Sequence, residues 1–182
     1  MKVNYKKLTI CLCCLILFVI KSNGQYAIAL GPRGGKFNNG ISLKYFVNTD
    51  NASGFQADLY YSKIGAGNGY TSKLIYIRQL PFKVPIIQLP LDLVYGAGVH
   101  AGFFPIGNTK GYYKKEGGEP KYYNKDVIAA GIDATIQLEY RAIAQRKKLP
   151  IIFTADFTPF YDLLNRGPEE LDFGFSVRYI ID

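Results

Sequence analysis

The residue best suited to proton chemistry is His100, the single histidine of the chain. It stands in Tyr95-Gly-Ala-Gly-Val-His-Ala-Gly-Phe-Phe104, among alternating small residues. Such a histidine acts as a general base only with a nucleophile in hydrogen-bond reach. Ser62 and Ser72 are the serines on neighbouring segments, and the sequence has no Gly-x-Ser-x-Gly elbow. No catalytic residue is assigned, and His100 reads as a hydrogen-bonded interior residue. The three cysteines, Cys11, Cys13 and Cys14, all precede residue 24. A chain cleaved there carries no thiol, so disulfides, zinc–thiolate sites and cysteine nucleophiles are excluded from it. With one histidine, His-rich metal sites go too, and no metal or cofactor is expected. Gly31 to Gly35 lacks the Lys-Ser/Thr and the helix of a phosphate loop. Asn51-Ala52-Ser53 is a glycosylation sequon that has meaning only in a eukaryotic secretory host.

The remaining chemistry is charge at alternate positions. Basic Arg33, Lys44, Arg78, Arg141 and Arg178 and acidic Asp58, Asp92, Asp133, Glu139, Asp156 and Asp172 fall on the polar face of their segments. If that face points inward, near-balance is required, because buried charge is tolerated only when paired. Arg78, Asp92, Asp133, Glu139, Arg141, Asp156 and Arg178 are therefore expected to form an interior salt-bridge network. It either fills the interior structurally or gates an ion path.

Positioning these groups requires strands. Leu91 to Phe103 alternates Leu, Leu, Tyr, Ala, Val, Ala and Phe with Asp92, Val94, Gly96, Gly98, His100 and Gly102. Ile128 to Ala142 and Leu171 to Ile181 repeat the pattern. Period two means one apolar and one polar face. Weaker segments at Tyr26 to Arg33, Gly40 to Val47, Gly54 to Lys63, Tyr70 to Leu80 and Pro150 to Tyr161 bring the expected strands to eight. Tyr70 to Leu80 fits worst, because Lys73 lands on its apolar side. Short polar links, Asn48 to Ser53 and Ala144 to Leu149, contrast with the long Pro105 to Asp126, and Asp162 to Glu170 reads as a turn. The apolar Phe82 to Ile87 has no assigned role.

The orientation of the faces decides the class. Mid-strand glycine weakens a water-facing surface, whereas a narrow interior has a use for it. Gly96, Gly98, Gly102, Gly131 and Gly174 share the polar face. Apolar-out and polar-in is the outer-membrane arrangement, and lipid demands that such a sheet close. Aromatic residues are expected at two rims of the outer face: Tyr26, Phe55, Tyr140, Phe153 and Tyr179 at one, and Tyr61, Phe103, Tyr161 and Phe173 at the other. The expected fold is all-β, an eight-stranded antiparallel up-and-down transmembrane β-barrel over residues 25–182. A soluble periplasmic β-barrel binding protein is the other class that fits.

Residues 1–24 read as a cleaved export signal. Lys2, Lys6 and Lys7 precede an apolar run from Leu8 to Ile20, with Ser22 and Gly24 at the cleavage positions. A lipoprotein reading fails because Cys11 follows Ile10 rather than a small residue. The chain has 22 basic and 14 acidic residues and a formal charge of +8. Lys2, Lys6, Lys7 and Lys21 lie in the signal, which leaves 18 against 14. That surplus argues against a nucleic-acid partner.

Gly40 to Asn48, Tyr95 to Phe104 and Gly131 to Tyr140 resemble the small outer-membrane β-barrel proteins common in Bacteroidetes, similar in architecture to the OmpA and OmpX membrane domains. The resemblance implies a barrel in the outer membrane and no particular activity. The terminal Tyr179 to Asp182 departs from the terminal aromatic of many such barrels.

Two functions follow. One is a non-enzymatic barrel with a filled lumen and a structural or surface-interaction role. The other is a narrow channel or transporter for small or hydrophobic ligands. The long loop carries Tyr112, Tyr113, Lys114 and Lys115, then Lys121, Tyr122 and Tyr123. Tyrosine provides rigid amphipathic contact area and lysine attracts phosphates, so this hairpin is the expected contact surface for lipopolysaccharide. Expected partners are outer-membrane lipid, lipopolysaccharide and the outer-membrane assembly machinery, and a monomer is expected.

Overall fold

The structure is a computed structural model that describes residues 26–48, 52–64, 67–83, 90–106, 113–116, 119–122, 125–141, 150–165 and 171–181. The expected signal lies outside the described residues. Ten strands follow in chain order. They are β1 (Ile28–Gly35), β2 (Asn38–Asn48), β3 (Ser53–Ile64), β4 (Gly67–Lys83), β5 (Pro90–Phe104), β6 (Tyr113–Glu116), β7 (Glu119–Tyr122), β8 (Val127–Tyr140), β9 (Ile151–Leu164) and β10 (Leu171–Ile181).

Eight of them close into a barrel in the order β1-β10-β9-β8-β5-β4-β3-β2. Every pair is antiparallel, and β10 seals against β1 through Ile28↔Ile181 to Gly35↔Gly174. This is the expected up-and-down barrel. Closure leaves no edge strand, so the ladder satisfies the backbone groups. β6 and β7 form a separate hairpin inside the long connection from β5 to β8. Among the described residues no helix is long and apolar enough to cross a membrane. The barrel strands run from 8 to 17 residues, and a tilted spanning strand needs about 9–11.

The two faces separate as the alternation predicts. On β8 the burial pattern alternates strictly from Val127 to Tyr140. Asp133, Thr135, Gln137 and Glu139 are buried inside, while Ile128, Ile132, Ile136 and Leu138 are exposed outside. The exterior exposes Leu59, Val99, Leu163, Phe173 and many like them. Cross-strand aromatic pairs reinforce it, with ring centroids 5.7 Å apart for Phe55–Tyr76 and Tyr61–Tyr70. Phe153 and Phe175 stack at 6.2 Å.

Two expectations about faces are corrected. Tyr26 is not on the outer rim. It precedes β1, escapes that strand's alternation and is buried inside, edge-on to Phe46 at 5.0 Å. On β4 the inward positions are Thr71, Lys73, Ile75, Ile77 and Gln79. Register is the cause: Ile75 pairs with Gly98 and Ile77 with Gly96, so the isoleucines fill space those glycines leave inside. Arg78 is thereby turned to the outer face, opposite Tyr95 of β5.

The interior has apolar layers as well as polar ones. Near the end that carries the long loop, Phe37, Phe104, Val127, Ala129 and Phe160 cluster. Toward the end that carries residues 26 and 181, Tyr26, Ala29, Phe46, Ile75, Ile77, Val94 and Ile152 do the same.

Candidate functional site

The interior polar groups come from every barrel strand, and most meet a partner on another strand. In the long-loop half, Arg33 of β1 binds Asp156 of β9 through Nε–Oδ2 at 3.0 Å and Nη2–Oδ1 at 2.5 Å. Its Nη1 donates to Asp172 Oδ2 of β10 and to the Asn38 carbonyl, both at 3.0 Å. Asp172 also accepts from Asn38 Nδ2 and from the Phe37 backbone N–H. The guanidinium lies 5.1 Å from the Tyr60 ring centroid. A planar fork shared by two carboxylates is what Arg supplies and Lys does not.

Beside it, Lys73 Nζ donates to Asp133 Oδ1 at 2.5 Å. His100 bridges two carboxylates, with Nδ1 2.8 Å from Asp133 Oδ2 and Nε2 2.7 Å from Asp162 Oδ1. Its ring stands edge-on to Phe160 at 5.8 Å. Both imidazole nitrogens are therefore engaged with acceptors. Ser62 donates to Asn38 Oδ1 at 2.6 Å and lies 2.8 Å from Thr71 Oγ1. Ser72 is exposed outside and bonds the Ala101 carbonyl. The geometry brings neither serine to the histidine. The cavity bordered by Asn38, Thr71, Lys73, His100, Phe104 and Asp162 has a volume of about 10 Å³, the space of about one water.

Nearer the middle, Gln137 Nε2 donates to Gln56 Oε1 at 2.9 Å, and Gln56 donates to Asp58. In the far half, Lys44 Nζ donates to Glu139 Oε2 at 2.9 Å. The Tyr26 hydroxyl donates to the same carboxylate at 2.8 Å. Arg141 pairs with Asp92, its Nε 2.5 Å from Oδ2 and its Nη2 on the same oxygen. Arg178 is held by hydroxyls, Ser42 Oγ and Thr154 Oγ1, each at 2.8 Å.

Of the expected network, Asp92, Asp133, Glu139, Arg141 and Asp156 are buried ion-pair partners. Arg178 is buried but hydroxyl-bonded, and Arg78 is outside. Lys73, expected on the apolar side, is inside instead. Asp162, expected in a turn, is on β9, because that strand runs on to Leu164. The β4–β5 register was the signal for Lys73, and it belongs to two strands at once.

In the long loop, Tyr112 and Tyr123 lie outside the described residues. The β6–β7 register pairs Tyr113 with Tyr122 and Lys114 with Lys121, and places Lys115 opposite Pro120.

No family model and no curated protein matches the chain. Among solved structures it is similar to the N-terminal β-barrel domain of Pseudomonas aeruginosa OprF, with a TM-score of 0.59 and 14% identity. That match covers 87% of this chain and all of that one. The fold is that of an eight-stranded outer-membrane barrel. Neisserial surface protein A is also similar, at a TM-score of 0.48 and 13% identity over 85% of this chain and 94% of that one. Set on this fold, the polar interior and apolar exterior are the two faces of one closed wall.

Proposed function

We propose that the chain is an integral outer-membrane barrel, exported by a cleaved signal, that plugs its own lumen and acts structurally or through its long loop. One observation carries the plug: charged side chains from strands that are not neighbours meet at hydrogen-bond distance, Arg33–Asp156 over one intervening strand and Lys44–Glu139 across the full lumen. An eight-stranded interior is just wide enough to be filled by side chains. The inverted distribution of polarity supports the membrane. A water-soluble barrel would present Leu59 and Leu163, each 69% exposed, to solvent at large cost. The end carrying residues 26 and 181 would face the periplasm and the long loop the outside. Gly40 to Asn48, Tyr95 to Phe104 and Gly131 to Tyr140 support a Bacteroidetes-type member.

A non-enzymatic role is supported by His100, whose two nitrogens are taken by Asp133 and Asp162. The surface role rests on the β6–β7 hairpin, whose register sets Lys114 opposite Lys121. Paired lysines beside tyrosines would bind lipopolysaccharide phosphates. Planar-bilayer recording of the refolded barrel tests the plug: no steady conductance is expected, and large regular steps would overturn it. Deleting residues 110–125 tests the loop. A heat-resistant barrel with lost lipopolysaccharide binding is expected, and unchanged binding would make the hairpin scaffold.

A further inference from the structure

The exterior is not uniform. In the long-loop half a groove of about 700 Å³ crosses the outer wall from β2 to β8. Ser72 and Ala101, opposite each other in β4 and β5, form its floor. Leu59 bounds it on β3, and Tyr61, Tyr70 and Phe103 stand over it in one register row toward the long-loop end. Two features narrow what fits there. The Ser72 hydroxyl donates to the Ala101 carbonyl, so the floor presents no unbonded donor to a ligand. At the long-loop side, Lys63 places Nζ 6.0 Å from the Tyr61 ring centroid. An apolar trough with a cation at its outer lip matches a hydrocarbon chain below an anionic headgroup.

We propose that this groove seats an acyl chain of lipid A, with Lys63 beside one of its phosphates. The proposal rests on the outer-membrane orientation given above, which puts the groove at the level of the outer leaflet. It does not depend on the loop hairpin. The volume is that of a ligand site, within the usual range of about 300–1,000 Å³, and the aromatic row would hold the chain against the wall.

The test is native mass spectrometry of the mature barrel extracted from nanodiscs containing lipid A and phosphatidylglycerol. Wild type is expected to keep lipid A in preference to phosphatidylglycerol. Ala101→Phe, which fills the floor with an apolar ring, is expected to lower lipid A retention at least tenfold, and Lys63→Gln several-fold. Leu171→Phe on β10, directly across the barrel from β4, is the control, with retention unchanged. All variants must show the heat-resistant folded band. Equal retention of the two lipids, equal retention by wild type and Ala101→Phe, or cross-linked dimers joined through this face would overturn the proposal. A chain that stays dispersed in buffer without detergent would instead overturn the outer-membrane reading.

Discussion

The Arg33 guanidinium occupies the space that a side chain on Gly174 would need. A Cβ at Gly174 would lie 2.4 Å from Arg33 Nη2 and 2.5 Å from Cζ. The guanidinium cannot yield freely, because Asp156 and Asp172 hold it from two other directions. Glycine here is a seat for an ion pair. Gly174→Val is expected to push Arg33 off both carboxylates and to destabilise the barrel by about 3–5 kcal/mol, the usual range for breaking a buried pair. Urea unfolding in lipid vesicles, followed by loss of the heat-resistant band, measures this. A change below about 1 kcal/mol would mean the guanidinium has another place to go.

Among the described residues, Lys44 and Glu139 form the most enclosed ion pair, both side chains being fully buried. Lys44→Met should cost about 3–5 kcal/mol, because Glu139 keeps only the Tyr26 hydroxyl among these partners. Glu139→Gln should cost a similar amount by stranding Lys44. The double variant should recover most of the loss, since replacing both charges by uncharged groups of similar size is often neutral. A double-mutant cycle in unfolding free energy decides it, and additivity of the two single losses would show that they do not act as a pair.

Lys73 and Arg78 provide a test of the face assignment on β4. Lys73 is inside on Asp133, and Arg78 is outside beside Tyr95. Lys73→Met is expected to destabilise by about 2–4 kcal/mol by weakening the balance around Asp133. Arg78→Met should change stability by no more than about 1 kcal/mol. Reversal of that order in urea titrations would restore Arg78 to the interior.

The contrast between β5 and β4 shows what the sequence could and could not reveal. On β5, Gly96, Gly98, His100 and Gly102 all share one face, and bulk sits on the other, so a single strand declares its orientation. On β4 both faces carry large apolar residues, Ile75 and Ile77 inside and Leu74 and Tyr76 outside. Hydropathy alternation is then silent, and the answer lies in the opposite strand, where Gly96 and Gly98 make room. The same limit hid Asp162, whose strand continues past the turn-like composition that follows Tyr161. Tyr26 was hidden for another reason: a residue just before a strand is not bound by the strand's period. Pairings such as Arg33–Asp156 join residues far apart in the chain, and charge balance alone indicates only that some pairing must exist.

Beneath the long-loop mouth, Phe37, Phe104 and Phe160 pack together inside the barrel. Below them lie Lys73, His100 and Asp133, with the groups around Arg33 and Asp156 beside them. Toward the other end comes a second apolar layer containing Phe46, Ile75 and Ile152. Obstruction is therefore repeated along the axis, and a defect in one layer does not connect the two mouths. Phe104→Ala removes the ring of a side chain that is 2% exposed. It should cost about 3–5 kcal/mol, from lost transfer energy and the cavity left behind. It should nevertheless leave the barrel non-conducting in a planar bilayer, because the ion-paired layer and the second apolar layer stand intact behind it. Combining Phe104→Ala with Arg33→Ala and Phe46→Ala weakens both apolar layers and the ion-paired layer between them, and is expected to give small, unsteady openings, provided the barrel still shows its heat-resistant band. Steady current from Phe104→Ala alone would mean that the plug is one side chain deep, and the layered interior would then have no sealing role.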